Sequence, residues 1–531
     1  MPKQYISYSK TGYFSKLMCD YLAQKESTIP FYHRFPKLEN FKAQIEEKQL
    51  SFRPEGRNVL VQQLKKQYEC CSPSEATLQN IEALKNPTTF TITTGHQLNL
   101  FTGPLYFLYK IFSAVNLAET LNKAYPNHHF VPVYWMATED HDFEEINYFN
   151  YKGKKIAWNR NSGGAVGELS TEGLEKVYET LQKEWGASAN AKELLKLFSE
   201  SYLKHENLAD ATRHLANELF KDFGLVIIDG NDTELKKAFI PYAEKELTEN
   251  LSFKKVTETT QKLIDAGYGE QVHPREINLF YVKEGLRERI IEKEGAFYVN
   301  DTELSFSKEE ILSVLQNYPE RFSPNALLRP LFQEVILPNL CYIGGGGELA
   351  YWFQLKDYFE SVEVPFPILL LRNSVLLVPE KLSTKLERLE VPISALFQKQ
   401  HEVETWFTKK ISAIEIDFSK QRTHLQQQFK DLYTLAKNTD ASFVGAVAAQ
   451  EKKQLNGLDN LEKRLLKAQK RKLAEQLERL TNIQDELFSK GSLQERNQNF
   501  SEIYLEMGND LLTIFKKELE PLVNEFTILK V

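Results

Sequence analysis

Five short apolar runs, each closed by a glycine, a carboxylate or a polar cluster, constrain this chain more than any other feature. They are residues 88–94 (TTFTITT, then Gly95), 130–136 (FVPVYWM), 225–229 (LVIID, then Gly230), 340–343 (LCYI, then four glycines) and 366–371 (FPILLL, then Arg372-Asn373-Ser374). Apolar runs of strand length without polar alternation suit strands buried on both faces, as in a parallel sheet covered by helices. A polar loop, HQLNLFTG, and an apolar stretch from Pro104 to about Ala124 lie between the first two runs. Proline fits the first turn of a helix, so this part reads as strand, loop, helix, strand, the unit that builds a parallel sheet. The expected fold class is α/β, with one doubly wound core.

The core spans residues 88–379, and its strands are unevenly spaced. Residues 145–222 and 240–335 read as two insertions, the second holding a mixed segment near Val272 to Val299. Residues 1–87 read as a polar helical segment packed on the core. Residues 380–490 change texture: proline and glycine become scarce, and Leu466, Leu473, Leu480 and Leu487 recur every seven residues, with Leu477 at an offset of four. Such a seam predicts a long antiparallel coiled-coil hairpin turning at Lys437-Asn438-Thr439-Asp440. Residues 491–531 carry enough apolar side chains to need a surface, so they return to the core or meet a partner.

Composition removes several classes. A net charge of −7 argues against a dedicated nucleic-acid binder. Four cysteines in 531 residues, with no C-x-x-C, support neither a disulfide framework nor a zinc site. The N-terminus lacks the apolar core of a signal peptide, and residues 101–118 are interrupted by Gly103, Pro104, Lys110 and Asn116, so no membrane span is expected. A cytoplasmic protein is the expectation.

Ligands of open α/β sheets bind beyond the carboxyl ends of the strands, so candidate site residues are sought there. The first loop offers Gly95, His96, Gln97, Asn99, Thr102 and Gly103, but neither a P-loop nor a G-x-G-x-x-G. The second offers Glu139, Asp140, His141 and Asp142, a cluster that suits an amine or Mg²⁺, or simply a helix start. Asp229 closes the third run. Gly344, Gly345, Gly346 and Gly347 precede Glu348 and Tyr351, and four glycines in a row imply close approach of backbone, nucleotide or substrate. Arg372 follows the fifth run and suits a carboxylate or phosphate.

The stretches TGHQLNLFTGPLYFLYKIFSAVNLA, VPVYWMATEDHDFEEIN and YIGGGGELAYW together resemble the bacillithiol-biosynthesis cysteine-adding enzyme family, BshC. The likeness extends from the N-terminal segment through the C-terminus. One departure is visible: Gly346 stands where the family commonly carries proline. The resemblance implies a Rossmann-like core related to class I aminoacyl-tRNA synthetases, two connecting-peptide insertions and a coiled coil used in homodimerisation. It implies a ligase that joins cysteine to the amine of glucosaminyl malate through an activated cysteinyl intermediate, with ATP and Mg²⁺ as the expected cofactors. Thr94-Gly95-His96 then takes the place of the synthetase H-x-G-H signature, of which only Gly-His is kept. No K-M-S-K-S loop is present; Ser383-Thr384-Lys385 falls short of one.

On this reading His96, Asp140 and Asp142 are catalytic. Gln97, Asn99, Glu139, His141, Asp229, Glu348, Tyr351 and Arg372 bind substrate. Gly95, Thr102, Gly103 and the four glycines 344–347 approach the nucleotide. No resident metal is assigned to protein ligands alone. Two other readings stand beside it: a related ligase with a different amino acid or acceptor, and a non-enzymatic scaffold or RNA-binding module using the basic stripe Lys463, Arg464, Lys467, Lys470, Arg471 and Lys472.

Overall fold

In the computed structural model, which describes residues 3–531, the five runs form five strands: β1 (Thr89–His96), β2 (His129–Met136), β3 (Val226–Asp229), β4 (Asn339–Gly344) and β5 (Ile368–Leu371). Every pairing is parallel and the order is β5-β4-β1-β2-β3. One half winds outward from β1 through β2 and β3, the other through β4 and β5. The order therefore reverses between β1 and β4, the topological switch point where ligands bind in such sheets. All eight residues of β1 are buried, as the unbroken apolar and threonine run demands. Helix α1 (Tyr106–Ala124) connects β1 to β2 and packs on both. Helix α2 (Gly346–Trp352) starts within the glycine run after β4.

Two insertions interrupt the core sheet. The first holds a small hairpin, Tyr148–Tyr151 with Lys154–Ala157, and the helices Leu174–Trp185, Ala189–Tyr202 and Leu208–Phe220. The second builds an antiparallel sheet from Leu279–Lys283, Leu286–Lys293, Ala296–Val299, Ser305–Phe306 and Phe322–Pro324. The helix Arg329–Ile336 then leads back into β4.

The N-terminal segment is helical over Asn40–Ser51, Pro54–Gln67 and Glu75–Ala83, and these helices cover β4 and β3. It departs from the wholly helical expectation at Lys3–Ile6, a strand antiparallel to Phe526–Lys530. That last strand also runs parallel to Val375–Val378, so the two ends of the described chain share one small sheet. No local pattern marks a four-residue strand whose partner lies at the other end of the chain.

Helices α3 (Ser419–Ala436) and α4 (Ala441–Lys472) form the expected antiparallel hairpin, turning at residues 437–440. Asp440 caps α4 by accepting from the Phe443 N–H at 3.0 Å. Phe429, Ala436 and Val447 form a small core of their own near this turn. The seven-residue leucine repeat needs correction. It does not run along the hairpin: the helix breaks at Leu473, and α5 (Ala474–Leu487) begins beyond it. Leu477, Leu480 and Leu487 join the main core beside the helix Gln400–Ile411, where Gln484 Nε2 donates to the carbonyls of Leu396 and Gln398, both at 2.9 Å. Among the described residues no helix is long and apolar enough to cross a membrane.

One buried ion pair ties the N-terminal segment to the core. Lys48 Nζ lies 3.1 Å from Glu334 Oε2, with side chains 1% and 0% exposed. Asn339 at the start of β4 and Gln333 also donate to Glu334. Removing one partner of such a pair leaves an uncompensated buried charge. Lys48→Ala is expected to cost about 3–5 kcal/mol, and Lys48→Met with Glu334→Leu is expected to regain most of it. Urea midpoints of the three proteins check this; an unchanged midpoint for Lys48→Ala contradicts it.

Candidate active site

A cavity of about 460 Å³ opens at the carboxyl ends of β1, β2 and β4. The loop after β1 supplies Gly95, His96 and Gln97, and α1 supplies Tyr106 and Lys110. The loop after β2 supplies Thr138, Glu139 and Asp140, and the glycine run and α2 supply Gly345, Gly346, Gly347, Glu348 and Tyr351. The second insertion adds Arg287, Asn325 and Arg329; Arg372 follows β5, and Arg496 comes from beyond the hairpin.

Its floor is an ion pair across the switch point, between a buried lysine and a partly exposed glutamate. Lys110 Nζ lies 2.6 Å from Glu348 Oε2 and donates to the Gly95 carbonyl at 2.7 Å. Glu348 also accepts from the Tyr342 hydroxyl at 3.0 Å and the Gly345 N–H at 2.8 Å. Burial works to raise the Glu348 carboxyl, yet Lys110 and these donors hold it below its ordinary value. Burial lowers the Lys110 ammonium. Gly95 leaves room for this arrangement, because a Cβ there would come within 3.2 Å of the Tyr342 hydroxyl.

His96 is buried against Phe107, with ring centroids 4.8 Å apart, and Tyr106, at 5.5 Å. Burial, followed by the nearby Lys110 charge, depresses its pKa to about 3. The ring is therefore neutral at physiological pH and acts as a hydrogen-bonding group, not as a cation. Its Nε2 faces the Thr102 carbonyl at 3.4 Å.

Five cationic side chains line the cavity (Lys110, Arg287, Arg329, Arg372 and Arg496), against three carboxylates (Glu139, Asp140 and Glu348). Two of those carboxylates are committed to lysines: Glu348 to Lys110, and Glu139 to the buried Lys236 at 2.6 Å. Arg329 donates to neutral groups, Gln333 Oε1 at 3.0 Å and the Tyr351 hydroxyl at 3.3 Å. Arg287 donates to His141 Nδ1 at 2.7 Å and lies over the Phe280 ring. The Arg372 guanidinium pairs with Glu495 at 2.7 Å, and its Nε has no partner. The surplus positive charge suits an anionic ligand.

Of the candidate residues read from the sequence, Gly95, His96, Gln97, Glu139, Asp140, Gly345, Gly346, Gly347, Glu348, Tyr351 and Arg372 meet at this cavity. The others are placed elsewhere. Gly103, at φ +63°, packs so closely on Asn99 that a Cβ would lie 2.6 Å from Asn99 Cβ, and its N–H donates to the Leu100 carbonyl. Thr102 and Asn99 are buried beside it, and Asn499 donates to the carbonyls of Phe101 and Gly103. Asp142 is exposed at the surface, and His141 stands behind Arg287. Asp229 turns to the Thr138 hydroxyl and the Asn231 N–H, and burial raises its carboxyl. Gly344 is a packing glycine, since a Cβ would meet Glu348 Cβ and Tyr342 Cε1 at 3.1 Å. Gln97 Nε2 bridges Asp140 at 2.8 Å and Glu145 at 2.9 Å. Among the described residues no three histidine, cysteine, aspartate or glutamate side chains converge as a metal cradle.

Sequence reading missed Lys110, Arg287, Arg329, Glu495 and Arg496 as site residues. Lys110 carried a signal, being a lysine in the middle of an apolar helix, where a charge needs a partner. The rest come from the second insertion or the segment after the hairpin, and no local spacing ties them to the sheet.

Fold and site together define a Rossmann-like α/β protein with a cation-rich ligand cavity at the switch point and an appended helical hairpin. The chain belongs to the BshC family of bacillithiol biosynthesis: the family's N-terminal Rossmann-like domain matches residues 1–373 and its C-terminal coiled-coil domain residues 375–531. Relatives named "Putative cysteine ligase BshC" occur in Flavobacterium johnsoniae (57% identical over 531 residues, 100% of both chains) and Christiangramia forsetii (56%, covering 100% of this chain and 99% of that one). A third is found in Cytophaga hutchinsonii (39%, covering 96% and 95%).

The depressed His96 pKa has a consequence for stability. The unfolded chain takes up a proton near pH 6.5, while the folded His96 does so only near pH 3. Folding stability contributed by this site is thus present above pH 6.5 and is lost as pH falls. His96→Gln removes that dependence. Between pH 7 and pH 5 the variant is expected to lose about 2 kcal/mol less stability than the wild type. Denaturant titrations at the two pH values measure this; parallel losses contradict it.

Proposed function

We propose that this chain is a ligase joining the carboxyl of cysteine to the amine of glucosaminyl malate, acting in the cytoplasm. The carrying observation is the cavity at the switch point, where Lys110 and Arg372 are paired with Glu348 and Glu495, Glu139 is paired with Lys236, and Arg287, Arg329 and Arg496 remain against Asp140. Glucosaminyl malate carries two carboxylates on its malate part, and ATP carries a triphosphate, so both expected substrates are anions. Family membership and the name of the relatives support the same reading.

An amine does not displace oxygen from a carboxylate unaided, so the cysteine carboxyl must first be activated. ATP would supply that activation. Arg329, Arg496 and the free Nε of Arg372 are the groups suited to its phosphates or to the malate carboxylates. The backbone at Gly347 carries no Cβ that would keep a ligand away, and nothing lies within 4 Å of where one would stand. Mg²⁺ is commonly held by one or two carboxylates together with substrate phosphates, and Asp140 is the cavity carboxylate not committed to a lysine. Asp140 is also placed to accept a proton from the attacking amine, which must be neutral to react. Neutral His96 then orients substrate through a hydrogen bond.

Incubation of the purified protein with cysteine, glucosaminyl malate, ATP and Mg²⁺, read by mass spectrometry, is expected to yield bacillithiol. AMP alongside it marks an adenylate, and ADP an acyl phosphate. Arg329→Ala is expected to lower kcat/KM by about tenfold or more, the worth of a charge-assisted hydrogen bond. Absence of product, or an unaffected variant, contradicts the proposal.

We also propose a homodimer formed through the hairpin. Leu432, Leu435, Phe443 and Leu461 stand exposed on α3 and α4, an unusual set for a surface helix pair. Sedimentation at micromolar concentration is expected to give twice 61.6 kDa, and Leu435→Glu with Leu461→Glu is expected to give the monomer. A monomeric wild type contradicts this.

A further inference from the structure

Arg372 is 4% exposed and lines the cavity, and nearly all of its hydrogen-bonding capacity is used. Nη2 donates to Glu495 Oε1 at 2.7 Å, and Nη1 donates to the Asn373 carbonyl at 2.9 Å and Ser374 Oγ at 3.1 Å. The guanidinium lies over the Tyr106 ring, 4.9 Å from its centroid. Only Nε lacks a partner, although it is buried. It faces Gly345, where a Cβ would stand 3.8 Å from it. A buried donor without an acceptor costs free energy unless a ligand supplies one.

What holds the guanidinium in this pose is Glu495, itself fully buried. Its Oε1 also accepts from the Ser374 hydroxyl at 3.2 Å, and its Oε2 accepts from the Val375 N–H at 3.1 Å. The carboxylate is thus fixed to the backbone just after β5 and fixes Arg372 in turn. Glu495 belongs to the short helix Gln494–Asn497, which follows the hairpin and also brings Arg496 to the cavity.

We propose that Glu495 is a positioning residue: it locks Arg372 at the cavity wall, with the unpartnered Nε–H held beside Gly345 to donate to an anionic oxygen of the substrate. This rests on the cavity being the substrate site, as proposed above. It makes the segment beyond the hairpin part of the reaction machinery, although it is more than a hundred residues from any core strand.

The test compares wild type, Glu495→Gln, Arg372→Met and the double variant Arg372→Met with Glu495→Met. The double variant replaces a buried ion pair with apolar groups of similar length, a change that proteins commonly tolerate, so loss of folding does not obscure the result. Thermal unfolding verifies that each protein is folded. Calorimetric titrations use three probes: glucosaminyl malate, ATP with Mg²⁺, and inorganic pyrophosphate. KM and kcat for each substrate are measured in parallel.

Glu495→Gln is expected to weaken one anionic probe by about tenfold or more, while cysteine KM stays unchanged. The double variant is expected to lose no more than Arg372→Met alone, because Glu495 acts only through Arg372. Wild-type affinity for all three probes in Glu495→Gln and the double variant overturns the positioning role. So does an additional loss in the double variant beyond Arg372→Met. A wild type that binds the probes, with the expected loss in Glu495→Gln, yet forms no amide overturns the ligase reading and leaves the positioning role standing.

Discussion

The Lys110–Glu348 ion pair is the interaction on which the site depends. Lys110 belongs to the half of the sheet that winds through β2, and Glu348 to the half that winds through β4. The pair therefore joins the two halves at the point where the strand order reverses. Lys110 is only 5% exposed, so its charge needs the Glu348 carboxylate beside it. From the pair follow the pose of Gly345, whose N–H Glu348 accepts, the anchoring of the Gly95 carbonyl, and part of the electrostatic pressure that keeps His96 neutral.

Around that floor the walls come from remote parts of the chain. The second insertion contributes Arg287 and Arg329, and the segment after the hairpin contributes Glu495 and Arg496. Glycines act in two ways here. Gly95, Gly103 and Gly344 are demanded by packing, since a Cβ at each would press on a neighbour. Gly347 meets nothing within 4 Å, so its lack of a side chain serves access to the cavity and not packing. The result is a polar pocket with a rigid base, in which Arg372 is paired with Glu495 while Arg329 meets only the neutral Gln333 and Tyr351.

The five strands were legible because unbroken apolar runs admit few alternatives, and the glycines and charges closing them marked the strand ends. From those ends, eleven candidate residues do meet at one cavity. Residues adjacent in sequence to true lining residues were harder to sort. Asp142 lies two positions after Asp140, but the chain turns and leaves it in solvent. Gly103 looked like a phosphate-approach glycine, yet its positive φ serves a tight packing turn on Asn99. The leucine repeat was real as a pattern, but a helix break at Leu473 divides its burial between the hairpin and the core. Arg329 and Glu495 were illegible because only tertiary pairing brings them to the sheet edge.

The cationic cavity at the β1–β4 switch point is the proposed binding site of the anionic acceptor. A crystal structure of the full-length protein with glucosaminyl malate tests it most directly. The malate carboxylates are expected within hydrogen-bonding distance of Arg329, Arg496 or Arg372 Nε, with the sugar amine facing Asp140. Ligand bound elsewhere, with this cavity holding only solvent, would contradict it.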